Sequence, residues 1–367
     1  MNIIISIDYE LYGNGGGCVF KHMIQPTAKL LEICNQKGIK ITIFFEAIEY
    51  MMLRREWARG NKMGYDKNPV EAIDDQIKSA VMAGHDIQLH VHPQWVNAKF
   101  ENAQWVVDSA NWRLGDLNLD NWSIKDLLRE GKTVVEQLVR QVEPGYRCLA
   151  LRAGGYNILP SGEIYQAMVS LGLECDSSIY PGGFENGFLN CYDYRNSSIE
   201  LDNWMVMPED FSILGTDSKV MEIPLFALPR KRIYKFSLPR VKSALANRVS
   251  AFGLLADKTQ KKSLLRKLLW LFEKEALTWD FCLFGKQNHK YFFRFIEKHL
   301  SHKRKYYVLI GHSKGLTDIA TVGRFFNMAL ERNVGFCTLK DAYYLLRSRK
   351  GSTADSATQK NTPLAST

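Results

Sequence analysis

Short apolar runs alternate with helix-like patterns from the first residue onward, and several runs end on a cluster of polar residues. Residues 3–7 read as a buried strand meeting Asp8, and a helical pattern at 27–37, opened by Pro26, precedes a strand at 39–45. A second helical pattern at 70–83 leads to a strand at 87–91, and one at 124–141 leads to a strand at 148–152. A helix at 161–171, stopped by Gly172, precedes a strand at 174–179, with short strands near Val206 and at 220–223. The rhythm resumes with a strand at 306–310, a helix at 320–331 and a strand at 335–339. This order predicts an α/β fold, a mainly parallel sheet or barrel wrapped by helices. In such folds the chemistry sits at the C-terminal ends of the strands.

The 367 residues are 46% hydrophobic and 24% charged, an ordinary globular balance. No run approaches the roughly 20 apolar residues that span a bilayer, and the N-terminus does not read as a secretory signal. The seven cysteines show no C-x-x-C spacing, which suits reduced thiols and a cytoplasmic location. The net charge of +9 is concentrated. Between Arg230 and Lys305 there are about 20 Lys/Arg against about 5 Asp/Glu, and this stretch interrupts the rhythm. Residues 230–303 therefore read as a basic helical insertion, with an amphipathic helix at 261–272, inside a barrel spanning 1–350. Such a block points to a local anionic contact, a phosphorylated or lipid-linked substrate or the inner face of a membrane, and not to nucleic acid. Its plainer reading is leucines packed on the barrel with solvated Lys and Arg. The Ser/Thr/Ala-rich residues 351–367 read as a disordered tail.

Alternation along the first strand puts Asp8 and Glu10 on one side. The third strand delivers His90 and His92, two imidazoles facing one way, a natural chelate for a divalent metal. Together they offer three ligands, an open position and a spare acid, the content of a hydrolytic metal site. Arg152 heads the turn Ala153-Gly154-Gly155-Tyr156, where Arg152 could hold a carboxylate ionised and the two glycines could present backbone N–H groups to an oxyanion. His312 ends the strand at 306–310 and is available as a general acid or base.

In this order the motifs resemble the polysaccharide deacetylases with the NodB-homology domain. The matching segments are Ser6 to Glu10, Thr42 to Phe45, Gly84 to His92, Leu151 to Tyr156, Asp176 to Ser178, and Leu309 to His312. The resemblance covers roughly residues 1–225 and 305–346, and is closest to a divergent subgroup found in cell-surface polysaccharide biosynthesis. It implies a distorted (β/α) barrel and removal of an acyl group, first of all N-acetyl, from a sugar. It further implies that Glu10, His90 and His92 hold one divalent metal, zinc first, with cobalt, nickel or iron also suited. Asp8 is then the base, Arg152 its orienting partner, His312 the acid and Asp176 the partner of His312, with a backbone N–H near Gly155 or Tyr156 on the oxyanion. Two departures stand out. Tyr9 separates the two acids, and Gln94 occupies the place of the second histidine in H-x-x-x-H, so either His92 substitutes or Gln94 ligates or leaves room for water. Two other readings compete. One is an inactive glycan-binding or membrane-associated scaffold of the same fold. The other is an amidohydrolase acting on a non-sugar substrate, although there the H-x-H normally closes the first strand. Sequence leaves the sugar, the acyl group and the oligomeric state open.

Overall fold

The computed structural model describes residues 1–216, 218–235, 237–246 and 271–358. Among them, parallel strands form a barrel: β1 (Asn2–Tyr9), β2 (Thr42–Glu46), β3 (Asp86–Val91), β4 (Ala150–Ala153), β5 (Cys175–Asp176), β6 (Met221–Glu222) and β7 (Tyr306–His312). Their hydrogen-bonded order is β6-β5-β4-β3-β2-β1-β7. The ring closes weakly: beyond β6, Leu225 makes one parallel bridge to Val308, and the Phe226 N–H donates to the Val308 carbonyl at 2.8 Å. Trp204–Met207 and Asp210–Leu214 extend the sheet antiparallel outside β6. The fold is thus the distorted (β/α) barrel that the motif resemblance implies, the second of the two forms that the rhythm allows. β1 explains its own strand run: Ile3, Ile4, Ile5 and Ile7 are all buried, as both faces of a parallel strand must be.

The helices are α1 (Gln25–Gln36), α2 (Ala47–Ala58), α3 (Pro69–Met82), α4 (Ile124–Val139), α5 (Gly162–Leu171), α6 (Leu238–Ala246), α7 (Lys286–His299), α8 (Ile319–Leu330) and α9 (Leu339–Thr358). Periodicity misses α2 and α9; α2 shows why. Its buried side includes Glu49 and Glu56 beside Ile48, Met52 and Leu53, which breaks the apolar pattern, and its N-cap is Glu46, whose side chain accepts from the Ile48 and Glu49 N–H groups. α9 continues to Thr358, past Gly351 where the composition changes.

Register builds the mouth of the barrel. Asp8 lies opposite His312 on one side and Phe44 on the other, Glu46 lies opposite His90, and His90 opposite Arg152. The interrupting segment is not only helical. Ala227–Lys231 pairs antiparallel with Lys274–Thr278, and the chain then runs along the end of β7, where the Phe281 N–H donates to the Ile310 carbonyl at 3.0 Å. This brings Asp280 level with Ile310. Of the basic helix expected at 261–272, all but the last two residues lie outside the described residues.

α7 packs an aromatic cluster onto α8, with Phe292, Phe293 and Phe325 around the fully buried His289. Neither ring nitrogen of His289 has a partner among the described residues. Burial, helped by Arg324, pushes its pKa down to about 3. A depressed histidine charges in the unfolded chain before it does in the folded one, so stability falls as pH drops from about 6.5 toward 4. His289→Phe should therefore gain on the wild type as pH falls through that window. At about 1.4 kcal/mol per unit the gain is roughly 3–3.5 kcal/mol at pH 4, and urea melts at pH 7 and pH 4 measure it.

Candidate metal and catalytic site

Five of the acids and histidines at the mouth are buried: Asp8, Glu10, Glu46, His90 and His92. His312 is about a quarter exposed and marks the open side. Arg152 is wholly buried and donates to Asp8 Oδ1 at 2.7 Å, to Ser6 Oγ at 3.0 Å and to the Ser177 carbonyl at 2.9 Å. Its guanidinium lies 3.8 Å from the centre of the Phe44 ring. The other carboxylate oxygen of Asp8 faces His312 Nε2 at 3.6 Å and His90 Nε2 at 3.9 Å. Glu10 stands 2.8 Å from His92 Nε2 and 3.4 Å from His90 Nε2, and Lys314 Nζ holds its second oxygen at 2.7 Å. Tyr9, on the opposite face of β1, donates to Gln76, as strand alternation requires.

His90 shows what the cluster lacks. Its Nδ1 lies 2.8 Å from the Arg152 carbonyl, which can only accept, so Nδ1 carries a hydrogen. In the neutral ring Nε2 is then a bare lone pair, buried and without a hydrogen bond, aimed at carboxylates. Glu46 Oε2, buried beside it, is orphaned as well. Burial lowers the His90 pKa, but Asp8, Glu10 and Glu46 outweigh it and raise it to about 9. The pocket therefore demands positive charge at Nε2. Burial pushes Glu46 and Glu49 upward too. Burial also opposes the charges of Asp8 and Glu10, yet Arg152 with the histidines, and Lys314 with His92, hold both below the usual carboxylate range. With histidines neutral and acids ionised, Asp8, Glu10, Glu46 and Glu49 against Arg152 and Lys314 leave two negative charges, the complement of a divalent ion.

The donor set fits such an ion. Glu10, Glu46, His90 and His92 each bring a ligand atom within 4.8 Å of the others, as do Asp8, Glu10 and His312. Two ligands on a tetrahedral ion with bonds of about 2.1 Å sit roughly 3.4 Å apart, the His90–Glu10 spacing. His92 is different, since its 2.8 Å contact with Glu10 is a hydrogen bond. Gln94 faces His92 Nδ1 with its amide nitrogen at 2.9 Å, while its oxygen is buried without a partner. Turning that amide over would offer its oxygen to an Nδ1 hydrogen and free Nε2 as a ligand.

The expected residues do not all meet. Gly155 and Tyr156 line the cavity beside His312, and both have positive φ, 59° and 64°. Gly154 is needed for a different reason: a Cβ there would lie 2.5 Å from His92 Nδ1. Asp176 is the correction. It accepts from the Ser178 hydroxyl and N–H and shares a buried pocket with Glu222, where burial raises both carboxyls, so it is held away from His312. The acid facing His312 Nδ1, at 3.6 Å, is Asp280. Sequence reasoning also missed Glu46 and Lys314. Glu46 ends β2 and obeys the same strand-end rule as Asp8; Lys314 stands two residues past His312.

No family model and no curated protein matches the chain. Solved structures do. One is a Mycobacterium smegmatis protein assigned to the polysaccharide deacetylases, with 12% identity, TM-score 0.47, covering 95% of this chain and 91% of that one. Another is PuuE allantoinase, with 13% identity, TM-score 0.44, covering 93% and 88%. A third is BA3943, a CE4 family pseudoenzyme from Bacillus anthracis, with 9% identity, TM-score 0.35, covering 93% and 64%. At these TM-scores and identities the likeness decides nothing about activity.

Gln94→Leu should weaken zinc binding by about 10–100-fold, the usual cost of removing a ligand's supporting partner, with the fold intact. Competition against a chromophoric chelator measures it. Unchanged affinity would mean that Gln94 does not set the state of His92.

Proposed function

We propose that the chain is a divalent-metal hydrolase that removes an acyl group, N-acetyl in the first instance, from a sugar. The observation that carries this reading is the bare, buried Nε2 of His90 among Asp8, Glu10 and Glu46. An amide-cleaving site needs a Lewis acid beside a carboxylate base and a proton donor, and these groups supply that set. The motif resemblance supplies the substrate class. Glu10, His90 and His92 would hold the ion, zinc first, with Glu46 close enough to join them.

When bound, a divalent ion lowers the pKa of water to about 7 and polarises the acyl oxygen. Asp8, ionised and held by Arg152, takes the proton from the attacking water. His312, facing Asp8 on one ring nitrogen and Asp280 on the other, gives a proton to the leaving amine. Water's hydroxyl ends on the acyl carbon and its proton on the sugar nitrogen, so the C–N bond breaks with atoms balanced. Tyr156 at the wall of the cavity supports the acyl oxygen or the sugar ring.

We assign the described part of 1–350 to one barrel, with the basic segment as an insertion that also supplies Asp280. The composition argument supports a cytoplasmic protein whose insertion meets a membrane surface. No described helix is long and apolar enough to cross a bilayer. A pseudoenzyme remains the rival reading, and turnover separates the two.

Asp8→Asn should retain metal yet lose turnover by about 10²–10⁴-fold, read as acetate released from N-acetylated sugars. Loss of the metal instead would make Asp8 a ligand. Asp280→Asn should lower turnover less than His312→Ala, since it acts through His312. Equal activity of Asp280→Asn and wild type would remove Asp280 from the mechanism.

A further inference from the structure

Beside His312 the barrel mouth opens into a cavity of about 320 Å³. One wall is aromatic, formed by Tyr156, Tyr180 and Tyr192, with the Tyr180 and Tyr192 hydroxyls 3.0 Å apart. The facing wall comes from the basic insertion and includes Arg240 on α6. Arg240 Nε is buried and has no hydrogen-bond partner. Among the described residues no acid lies within ion-pair distance of its guanidinium, and its backbone N–H donates to the Ser237 hydroxyl at 3.3 Å. The cavity's lining includes two acids, Asp280 and Glu185. Asp280 accepts from the Cys282 and Leu283 N–H groups and faces His312. Glu185 lies on the exposed strand Phe184–Asn186.

A buried guanidinium nitrogen without an acceptor costs free energy that a ligand oxygen can recover. The planar fork of arginine matches a phosphate or a carboxylate two-pronged. We infer that the substrate is an acylated sugar carrying an anionic group, phosphate or carboxylate, and that Arg240 binds that group while the tyrosine wall takes the sugar ring. The inference rests on the hydrolase reading for the sugar, and adds to it the substituent that the cavity selects. It also gives the excess charge of the insertion a specific task at one residue.

Titration calorimetry on the full chain carrying Asp8→Asn, in which turnover is slowed, tests this with three probes. They are N-acetylglucosamine, N-acetylglucosamine 1-phosphate and N-acetylmuramic acid, the last supplying a carboxylate. At least one anionic sugar should bind about tenfold or more tightly than the neutral one, and the stronger arm identifies the anion. Adding Arg240→Gln should erase that preference and leave the neutral sugar unaffected, while Arg240→Lys keeps part of it. Equal affinity for all three probes overturns the inference. So does a preference that survives Arg240→Gln, or no binding of any probe at millimolar concentration. Binding is read separately from turnover, so a chain that proves inactive can still select the anion, and an active one can still fail to.

Discussion

The mouth of the barrel depends on the burial of Arg152. A guanidinium removed from water is costly unless each of its donors is met, and leaving one partner of such a pair alone costs about 3–5 kcal/mol. Here the donors reach Asp8 and Ser6 on β1, and the carbonyl and hydroxyl of Ser177 just beyond β5. The two hydroxyls pass the link on, Ser6 to the Leu309 carbonyl on β7 and Ser177 to the Ile223 carbonyl beyond β6. One side chain thus ties together the side of the barrel where closure is weakest. Its own carbonyl fixes the ring of His90. Stability and the state of the site share this one residue.

Around that anchor the electrostatics are unbalanced. Four carboxyls are buried at the mouth, and two permanent cations do not neutralise them. Protons can fill the deficit, as the raised His90, Glu46 and Glu49 indicate, or a divalent ion can. The second solution satisfies the lone pair of His90 and the orphaned oxygen of Glu46 together. A protonated cluster would satisfy them only by sacrificing charge on residues that the chain has held close. The deficit is what turns a set of strand-end residues into a metal-site hypothesis.

Much of this was legible in the sequence because strand ends are legible. An apolar run stopping at Asp8, His90, Arg152 or His312 states both the strand and the side of the barrel it exits, and register then brings those residues together. Glu46 ends its strand in the same way, but the apolar run stops at Phe45 and does not itself mark the acid that follows. Asp280 carried no such signal. It follows Trp279 within an aromatic stretch of an irregular segment, and only the hydrogen bonds onto Ile310 show that it joins the barrel. Asp176 misled for the opposite reason. It sits at a strand end, but the strand is only two residues long, and Ser178 and Glu222 hold the carboxyl away from the mouth.

Metal content is the direct test of the central claim. Elemental analysis of the wild type and of the His90→Ala/His92→Ala double variant, after reconstitution with zinc, cobalt or iron, should give about one equivalent of metal in the first. The variant should carry none while its circular dichroism stays that of a folded chain. A wild type that takes up no metal under any of these conditions would contradict the account, and would leave a protonated, non-hydrolytic mouth suited to binding a glycan without cleaving it.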